Sequence, residues 1–247
     1  MICSSSEKSQ NYLNSLEIQK RLSHAQNYNE WLFSQVADHV NGRVLEVGCA
    51  IGNFTKALLN RTFVCAIDVE DGYVALVRDT FKNYPNMEAR QCDISSPDAL
   101  EPEKGRFDSI VCFNVLEHIK DDDRALRNMR ALLREGGHLC LIVPAFQSIY
   151  GSMDRTDNHY RRYSKPGLLK KVNGAGFKVI RLKYLNMPGF FGWWFNGKIL
   201  KRDYIPFKQM LLYDRIIPVI RSLESVLKPP FGQSIVMIAA AGRIKNI

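Results

Sequence analysis

From residue 43 to residue 143 the chain alternates short apolar runs with amphipathic stretches. The runs occupy 43–47, 62–67, 87–91, 107–113 and 138–143, and are rich in Val, Ile, Leu, Cys or Phe. Each is followed by a segment suited to a helix. Strands that alternate with helices predict a parallel sheet covered on both faces. Runs such as 109–113 and 139–143 lack a polar face, which suits central strands buried on both sides. Upstream, residues 9–40 predict two polar-amphipathic helices broken near Gln26-Asn27-Tyr28-Asn29. In the second helix Trp31, Leu32, Val36 and Val40 form an apolar stripe that would pack on the domain. Asn41-Gly42 reads as a turn.

After Pro144 the rhythm changes. Residues 145–163 have no clear period and are dense in Tyr, Arg, Asp and His. Ser164 can cap a helix over 165–172 with Pro166 in its first turn, ended by Asn173-Gly174-Ala175-Gly176. A strand is predicted over 177–185 and a last one over 234–241. Between them, 186–231 form an insertion with Trp193, Trp194, Phe195, Tyr204, Phe207 and Tyr213.

Length and composition narrow this picture. The chain has 247 residues, 46% hydrophobic and 24% charged, which excludes a disordered, collagenous or repeat-dominated protein. Its 34 Lys and Arg against 25 Asp and Glu give a net +9, unevenly placed: residues 1–150 carry −4 and residues 151–247 carry +13. Any function proposed has to explain the basic part. The six cysteines, Cys3, Cys49, Cys65, Cys92, Cys112 and Cys140, show no CxxC and no clustering, so no disulfide framework or zinc site is expected. The N-terminal MICSSSEKSQ has no apolar leader and no run reaches the length of a membrane span, so a soluble, cytoplasmic protein is expected.

The segment Val44-Leu45-Glu46-Val47-Gly48-Cys49-Ala50-Ile51-Gly52-Asn53-Phe54 ends the first strand and opens a helix. Glycines there let a ligand approach the backbone, and a helix start offers unpaired N–H groups. The spacing is not the G-x-G-x-x-G of dinucleotide binding. An acid, Glu46, precedes the first glycine by two residues, giving E-x-G-x-A-x-G. Read blandly, Glu46 and Asp68 are loop acids or helix caps. The loop resembles the first motif of class I S-adenosylmethionine (SAM)-dependent methyltransferases, and the resemblance extends over most of residues 43–143. Asp68 ends the second strand, Asp93 follows the third in Gln91-Cys92-Asp93-Ile94, and Asn114-Val115-Leu116-Glu117-His118-Ile119 follows the fourth. Leu132-Leu133-Arg134-Glu135-Gly136-Gly137 matches the family's turn into the fifth strand.

The resemblance implies an α/β, Rossmann-like, seven-stranded and mostly parallel sheet with helices on both faces. An aromatic cap would be inserted before the last strand. With no linker long enough to separate two domains, one domain over 1–247 is expected: a helical cap at 1–40, a SAM-binding core at 41–145, an acceptor loop, helix and strand at 146–185, the cap at 186–231, and a final strand and tail at 232–247. SAM would be the cofactor and S-adenosylhomocysteine the product. Glu46, Gly48, Cys49, Ala50 and Gly52 would cradle its amino-acid end, Asp68 the ribose hydroxyls and Asp93 the adenine amino group. Val69, Cys92, Ile94, Asn114 and Val115 complete the implied cofactor set. Ala50 departs from the family, which commonly has glycine there; a methyl group disfavours φ > 0 and narrows the loop.

Methyl transfer needs alignment of the reactants and exclusion of water, and an acidic acceptor proton needs a base, for which His is the usual group. His159 and His118 are the candidates, with Tyr150 beside them. Their bland readings are a loop histidine in a hydrogen-bond network and a helix-start residue that orients loops. Tyr150, Asp154, His159 and Arg162 are expected to line the acceptor pocket, with Arg161, Tyr163 and Trp193 also binding the acceptor. Glu117-His118 resembles the E-H pair that helps bind a divalent ion in small-RNA 2′-O-methyltransferases and ubiquinone-pathway O-methyltransferases. Those families place another Glu three residues earlier, where this chain has Asn114. No metal is therefore assigned, and Glu117, His118 and His159 would be the set if there were one.

From residue 154 to residue 183 there are nine Lys or Arg against Asp154 and Asp157, followed by Phe190-Phe191-Gly192-Trp193-Trp194-Phe195-Asn196-Gly197-Lys198. The bland reading is a solvated face over a small aromatic core. The functional readings are an anionic acceptor, a shallow membrane contact or RNA. The absence of an N-P-P-Y-type motif disfavours base N-methylation, so a nucleic-acid partner is not expected, and an RNA methyltransferase stays an alternative. The expected partner is a small natural-product or glycan-type acceptor methylated on O or N. A lipid- or prenyl-linked phosphate methylated on carbon is the alternative, and a non-catalytic SAM-binding module is the rival from another class. Oligomeric state leaves no signature in the sequence.

Overall fold

The computed structural model describes residues 5–242. Cys3, the start of the predicted helical cap and the tail after residue 242 lie outside the described residues. Two helices, α1 (Ser5–Leu22) and α2 (Gln26–Ser34), precede the first strand, β1 (Arg43–Val47). Then follow α3 (Thr55–Leu58), β2 (Phe63–Asp68), α4 (Asp71–Thr80), β3 (Met87–Gln91), β4 (Phe107–Phe113), α5 (Asp122–Leu132) and β5 (Leu133–Pro144). The basic part contains α6 (Ser152–Thr156), α7 (Lys165–Gly174), β6 (Phe177–Leu185), α8 (Met187–Trp194), α9 (Phe207–Leu227) and β7 (Ser234–Ala241).

The seven strands form one sheet in the order β3-β2-β1-β4-β5-β7-β6. All neighbours among β3, β2, β1, β4 and β5 are parallel, and β7 runs antiparallel to both β5 and β6. Strand alternation builds two cores. Leu45, Val47, Ile110, Cys112, Leu139 and Leu141 face α5 and α7, meeting Leu126, Met129, Leu168 and Val172. Val44, Val111, Cys140 and Ile142 face the other way, onto Trp31 and Leu32 of α2 and Ile217 and Ile220 of α9. Strand order reverses between β1 and β4, so a crevice opens at their carboxyl ends, where open α/β sheets bind ligands.

Three local expectations need correction. Gln26-Asn27-Tyr28-Asn29 opens α2 rather than breaking a helix, and the break falls just before it. The cause lies far away in sequence. The Asp214 carboxylate of α9 accepts from the backbone N–H groups of Asn27 (3.4 Å) and Tyr28 (2.8 Å) and from the Asn27 side chain (3.0 Å), capping α2 in trans. β5 begins at Leu133 and runs through the Glu135-Gly136-Gly137 turn, because Leu133 pairs with Phe107 before an irregularity ahead of Ser109. α7 carries on through Gly174, ending later than the glycines suggested.

Candidate functional site

The glycine loop leaves β1 with positive φ at Gly48 (78°), Ala50 (45°) and Gly52 (90°). A side chain at Gly48 would collide with Val115, and one at Gly52 with the ring of Phe81. Ala50 therefore occupies the left-handed region despite its methyl group. Its N–H donates to the Asp68 carboxylate at 2.9 Å, and Asp68 also accepts from the Glu70 N–H at 3.1 Å. Part of the expected row of N–H groups is taken up within the protein. Gly48 and Cys49 donate to the Ile67 carbonyl and Gly52 to that of Cys49, so the loop is folded onto β2.

The loop also presents acid. Glu46 is 3% exposed and accepts from the Thr55 hydroxyl at 2.6 Å; burial pushes its carboxyl up to about 8. Burial also raises Asp68, opposed by the hydrogen bonds from Glu70, Ala50 and Val69. Val69 stands 55% exposed beyond the end of β2, an apolar surface beside two carboxylates. Asp93 is exposed and accepts from the N–H and hydroxyl of Ser95 through Oδ1, while Ile94 is buried beside Val47 and Ile67 and Cys92 packs against that core. Asn114 leaves β4 with φ 52° and is exposed, and the next residue, Val115, rests on Gly48. A closely packed glycine turn, a buried acid with a single hydroxyl partner and an exposed apolar ledge fit the ammonium, diol and adenine of SAM.

A second feature adjoins this one. A cavity of ≈ 370 Å³ is lined by His118, Tyr150, Arg155, Asn158, His159 and Tyr160. Tyr150 donates its hydroxyl to the His159 carbonyl at 2.7 Å. His159 is clamped: Nδ1 lies 2.9 Å from Asp154 and Nε2 3.2 Å from Asp157. Burial would lower its pKa, but the two carboxylates and nearby Glu117 win and raise it to about 9, so the ring is a cation at neutral pH. His118 meets it edge-on at 4.6 Å between centroids. Burial lowers His118 to about 4, leaving it neutral.

Of the residues expected to hold the acceptor, Asp154, Arg162 and Trp193 are joined to one another behind His159, and Tyr163 and Arg161 are engaged by Asp122; none of the five lines the cavity. Asp154, fully buried, accepts from His159, from Arg162 Nε (2.7 Å), from the Trp193 indole (3.0 Å) and from the Gly151 N–H (2.9 Å). These donors hold its carboxyl well below the usual range and occupy its lone pairs. Arg162 is buried under Trp193 at 4.8 Å from the ring and donates to the Ala145 carbonyl. The Tyr163 hydroxyl lies 2.9 Å from Asp122 and 3.1 Å from the Leu116 carbonyl. Arg161 pairs with Asp122 at 2.8 Å. Sequence reasoning assigned no role to Arg155, Asn158 or Tyr160, which do line the cavity. The density of donors marked the segment; without a period, nothing marked which of them face inward.

Behind His118 the Glu117 carboxylate is fully buried with neither oxygen hydrogen-bonded, and burial raises it to about 7. One ligand atom each from Glu117, His118 and His159 lie within 4.8 Å of one another. Both ring nitrogens of His159 face carboxylates, so it would ligate through Nε2 only on losing its proton and its contact with Asp157. These three residues could hold a divalent cation.

Residues 45–139, less than half of the chain, match a family model described as a methyltransferase domain. That segment contains Glu46, the glycine loop, Asp68, Asp93 and the Glu117-His118 pair. A reducing polyketide synthase, BOA6, of Botryotinia fuckeliana is 34% identical over 110 residues, which are 40% of this chain and 4% of that protein. A ubiquinone biosynthesis O-methyltransferase of Coxiella burnetii is 31% identical over 99 residues, 39% of this chain and 41% of that one. The chain thus spans less than half the length of these relatives. Among solved structures, the [4+2]-cyclase SpnF superposes with a TM-score of 0.59 at 18% identity, covering 88% of this chain and 81% of SpnF. At that identity the likeness concerns the fold, and a fold shared with a cyclase leaves the reaction to be argued from the site.

Proposed function

We propose that this methyltransferase domain binds SAM at the glycine loop and transfers its methyl group to O or N of a small, anionic acceptor in the adjoining cavity. One observation carries the reading. The short segment after β4 touches both features, with Val115 on Gly48 and His118 in the cavity wall three residues later. A donor on the loop and an acceptor in the cavity would therefore share this segment.

Bound SAM supplies a methyl group on a good leaving group, so the chain's own work is alignment, dehydration and proton handling. Glu46 would meet the ammonium and Asp68 the ribose. A proton that the acceptor loses on taking the methyl group would pass to a ring nitrogen of His118. We assign the base to His118 rather than His159, because a neutral imidazole can take a proton and a doubly clamped imidazolium cannot. Arg155, exposed in the cavity and without an ion pair among the described residues, would hold the acceptor's anionic group. With a panel of small phenolic and carboxylate acceptors and radiolabelled SAM, Arg155→Ala should raise KM roughly tenfold or more. S-adenosylhomocysteine affinity should stay unchanged. An unaltered KM for the acceptor that is methylated would contradict the assignment.

A second reading has its own support in the unpartnered Glu117 carboxylate. A divalent cation held by Glu117, His118 and His159 would polarise an acceptor hydroxyl when bound. Calorimetric titration with Mg2+, Mn2+ and Zn2+ tests it without turnover. Binding of one ion, lost in Glu117→Gln, supports this reading, and no binding of any of the three removes it.

A further inference from the structure

Large apolar side chains are not exposed evenly over this molecule. Of the twenty that stand exposed among the described residues, thirteen fall between Phe191 and Leu227. On α9 they recur at Leu212, Ile216, Val219, Leu223 and Val226, alternately four and three residues apart, which makes one continuous stripe along the helix. The opposite face of the same helix is already used. Ile217 and Ile220 are buried in the core, Asp214 caps α2, and Glu224 accepts from the backbone N–H groups of Asn186 and Met187 at 2.9 and 2.7 Å. A helix that is apolar on both faces is normally covered on both. A contiguous exposed apolar face marks an interaction site.

Charge selects what covers it. From Lys198 to Lys228 seven Lys and Arg are exposed, and the exposed acid in this stretch is Asp203, which is engaged by the Thr156 hydroxyl. The other two acids, Asp214 and Glu224, are turned inward by the hydrogen bonds just described. Two copies packed stripe to stripe would bring cations against cations with no carboxylate between them. An anionic bilayer offers the opposite charge together with an apolar layer of the right depth. Trp194 and Tyr204, both exposed just before α9, are the residue types that settle at a lipid headgroup boundary. No helix among the described residues is long and apolar enough to cross a membrane, so the geometry is that of a helix lying on the surface.

We propose that α9 and the Trp194–Tyr204 stretch before it form a docking surface for an anionic lipid bilayer, with the α9 stripe inserted at the headgroup boundary and Lys198, Lys201, Arg215 and Arg221 facing lipid phosphates. This surface is independent of the donor site, so it stands or falls separately from methyl transfer. Attachment would nevertheless be close to the acceptor cavity. Trp193, next to Trp194, holds Asp154 behind the cavity wall, and the Gly197 carbonyl accepts from Ser152 at the start of α6, the helix that carries Arg155.

The test is cosedimentation of the full chain with vesicles of equal parts phosphatidylglycerol and phosphatidylcholine, beside vesicles of phosphatidylcholine alone. The protein should sediment with the mixed vesicles at low salt and bind phosphatidylcholine roughly tenfold or more weakly. The double variant V219E/L223E should lose binding by a similar factor while its circular dichroism is unchanged. The variant R215E/R221E keeps the stripe intact and should lose the preference for phosphatidylglycerol, which covers the case in which V219E/L223E does not fold. Failure of the native chain to sediment with mixed vesicles would overturn the proposal, as would equal binding by R215E/R221E. So would a dimer in sedimentation velocity that V219E/L223E dissociates, or binding to polyuridylate, when either occurs without vesicle binding.

Discussion

Ala50 holds the left-handed conformation, φ 45°, in the centre of the glycine loop, at the position where a methyl group was expected to disfavour it. The strain is offset by the bond from its N–H to Asp68. Replacing Ala50 with Gly should relieve about 1 kcal/mol, seen as a higher denaturation midpoint with unchanged S-adenosylhomocysteine affinity. A lower midpoint would mean that the methyl group packs usefully. Glu46 makes a second prediction at the same scale. With its carboxyl near 8 it is mostly protonated at neutral pH, and an ammonium placed beside it favours the ionised form. Binding SAM at neutral pH should then release a proton, a release that fades as the pH is raised past 8 and the acid is already ionised. Calorimetry in buffers of different ionisation enthalpy reads this directly; proton uptake, or no exchange, would contradict the pairing. The place of Glu46 and Asp68 in the first two strands was legible in the sequence. Their protonation was not, because it depends on how deeply the fold buries them.

Elements were legible where one strand explains itself. The boundaries of β1, β4 and β7 follow from apolar runs, because burial on both faces writes itself into nearly every position, whereas β3 and β6 lie at the sheet edges and are only partly buried. α2 was misread because its N-terminus is capped from α9, almost the whole chain later, by Asp214. Removing that carboxylate in Asp214→Ala leaves first-turn N–H groups and the Asn27 amide without their partner. The expected cost is about 1–2 kcal/mol, with faster hydrogen exchange in α2 before β1 is affected. Uniform exchange across the domain would show that the cap is not local. The polar stretch between Pro144 and Ser164 was legible as a site but not as a geometry. Asp154 and Arg162 read as acceptor contacts because they are charged, yet each is buried and saturated, and the cavity is lined by neighbours one to four residues from Asp154, such as Arg155 and Asn158.

At the scale of the molecule the uneven charge acquires a location. Residues 1–150, at −4, contain Glu46, Asp68 and Asp93, which suit a cationic sulfonium donor. Of the cations in residues 151–247, Arg155 stands in the cavity, seven are exposed from Lys198 to Lys228 around α9, and Arg161, Arg162 and Lys171 are paired with Asp122 and Asp154. Fold and family segment followed from the alternation of strands and the loop that ends the first. The role of the insertion did not, since a helix packed on one side and bare on the other differs from a buried one only in what covers it. The central claim is that the glycine loop and its acids form a SAM site, and calorimetry with S-adenosylhomocysteine on the full chain and on Glu46→Gln and Asp68→Ala tests it most directly. One-to-one binding by the native chain, weakened about tenfold or more in each variant, is the expected result. Absence of binding to both S-adenosylhomocysteine and SAM, or full affinity in both variants, would contradict it.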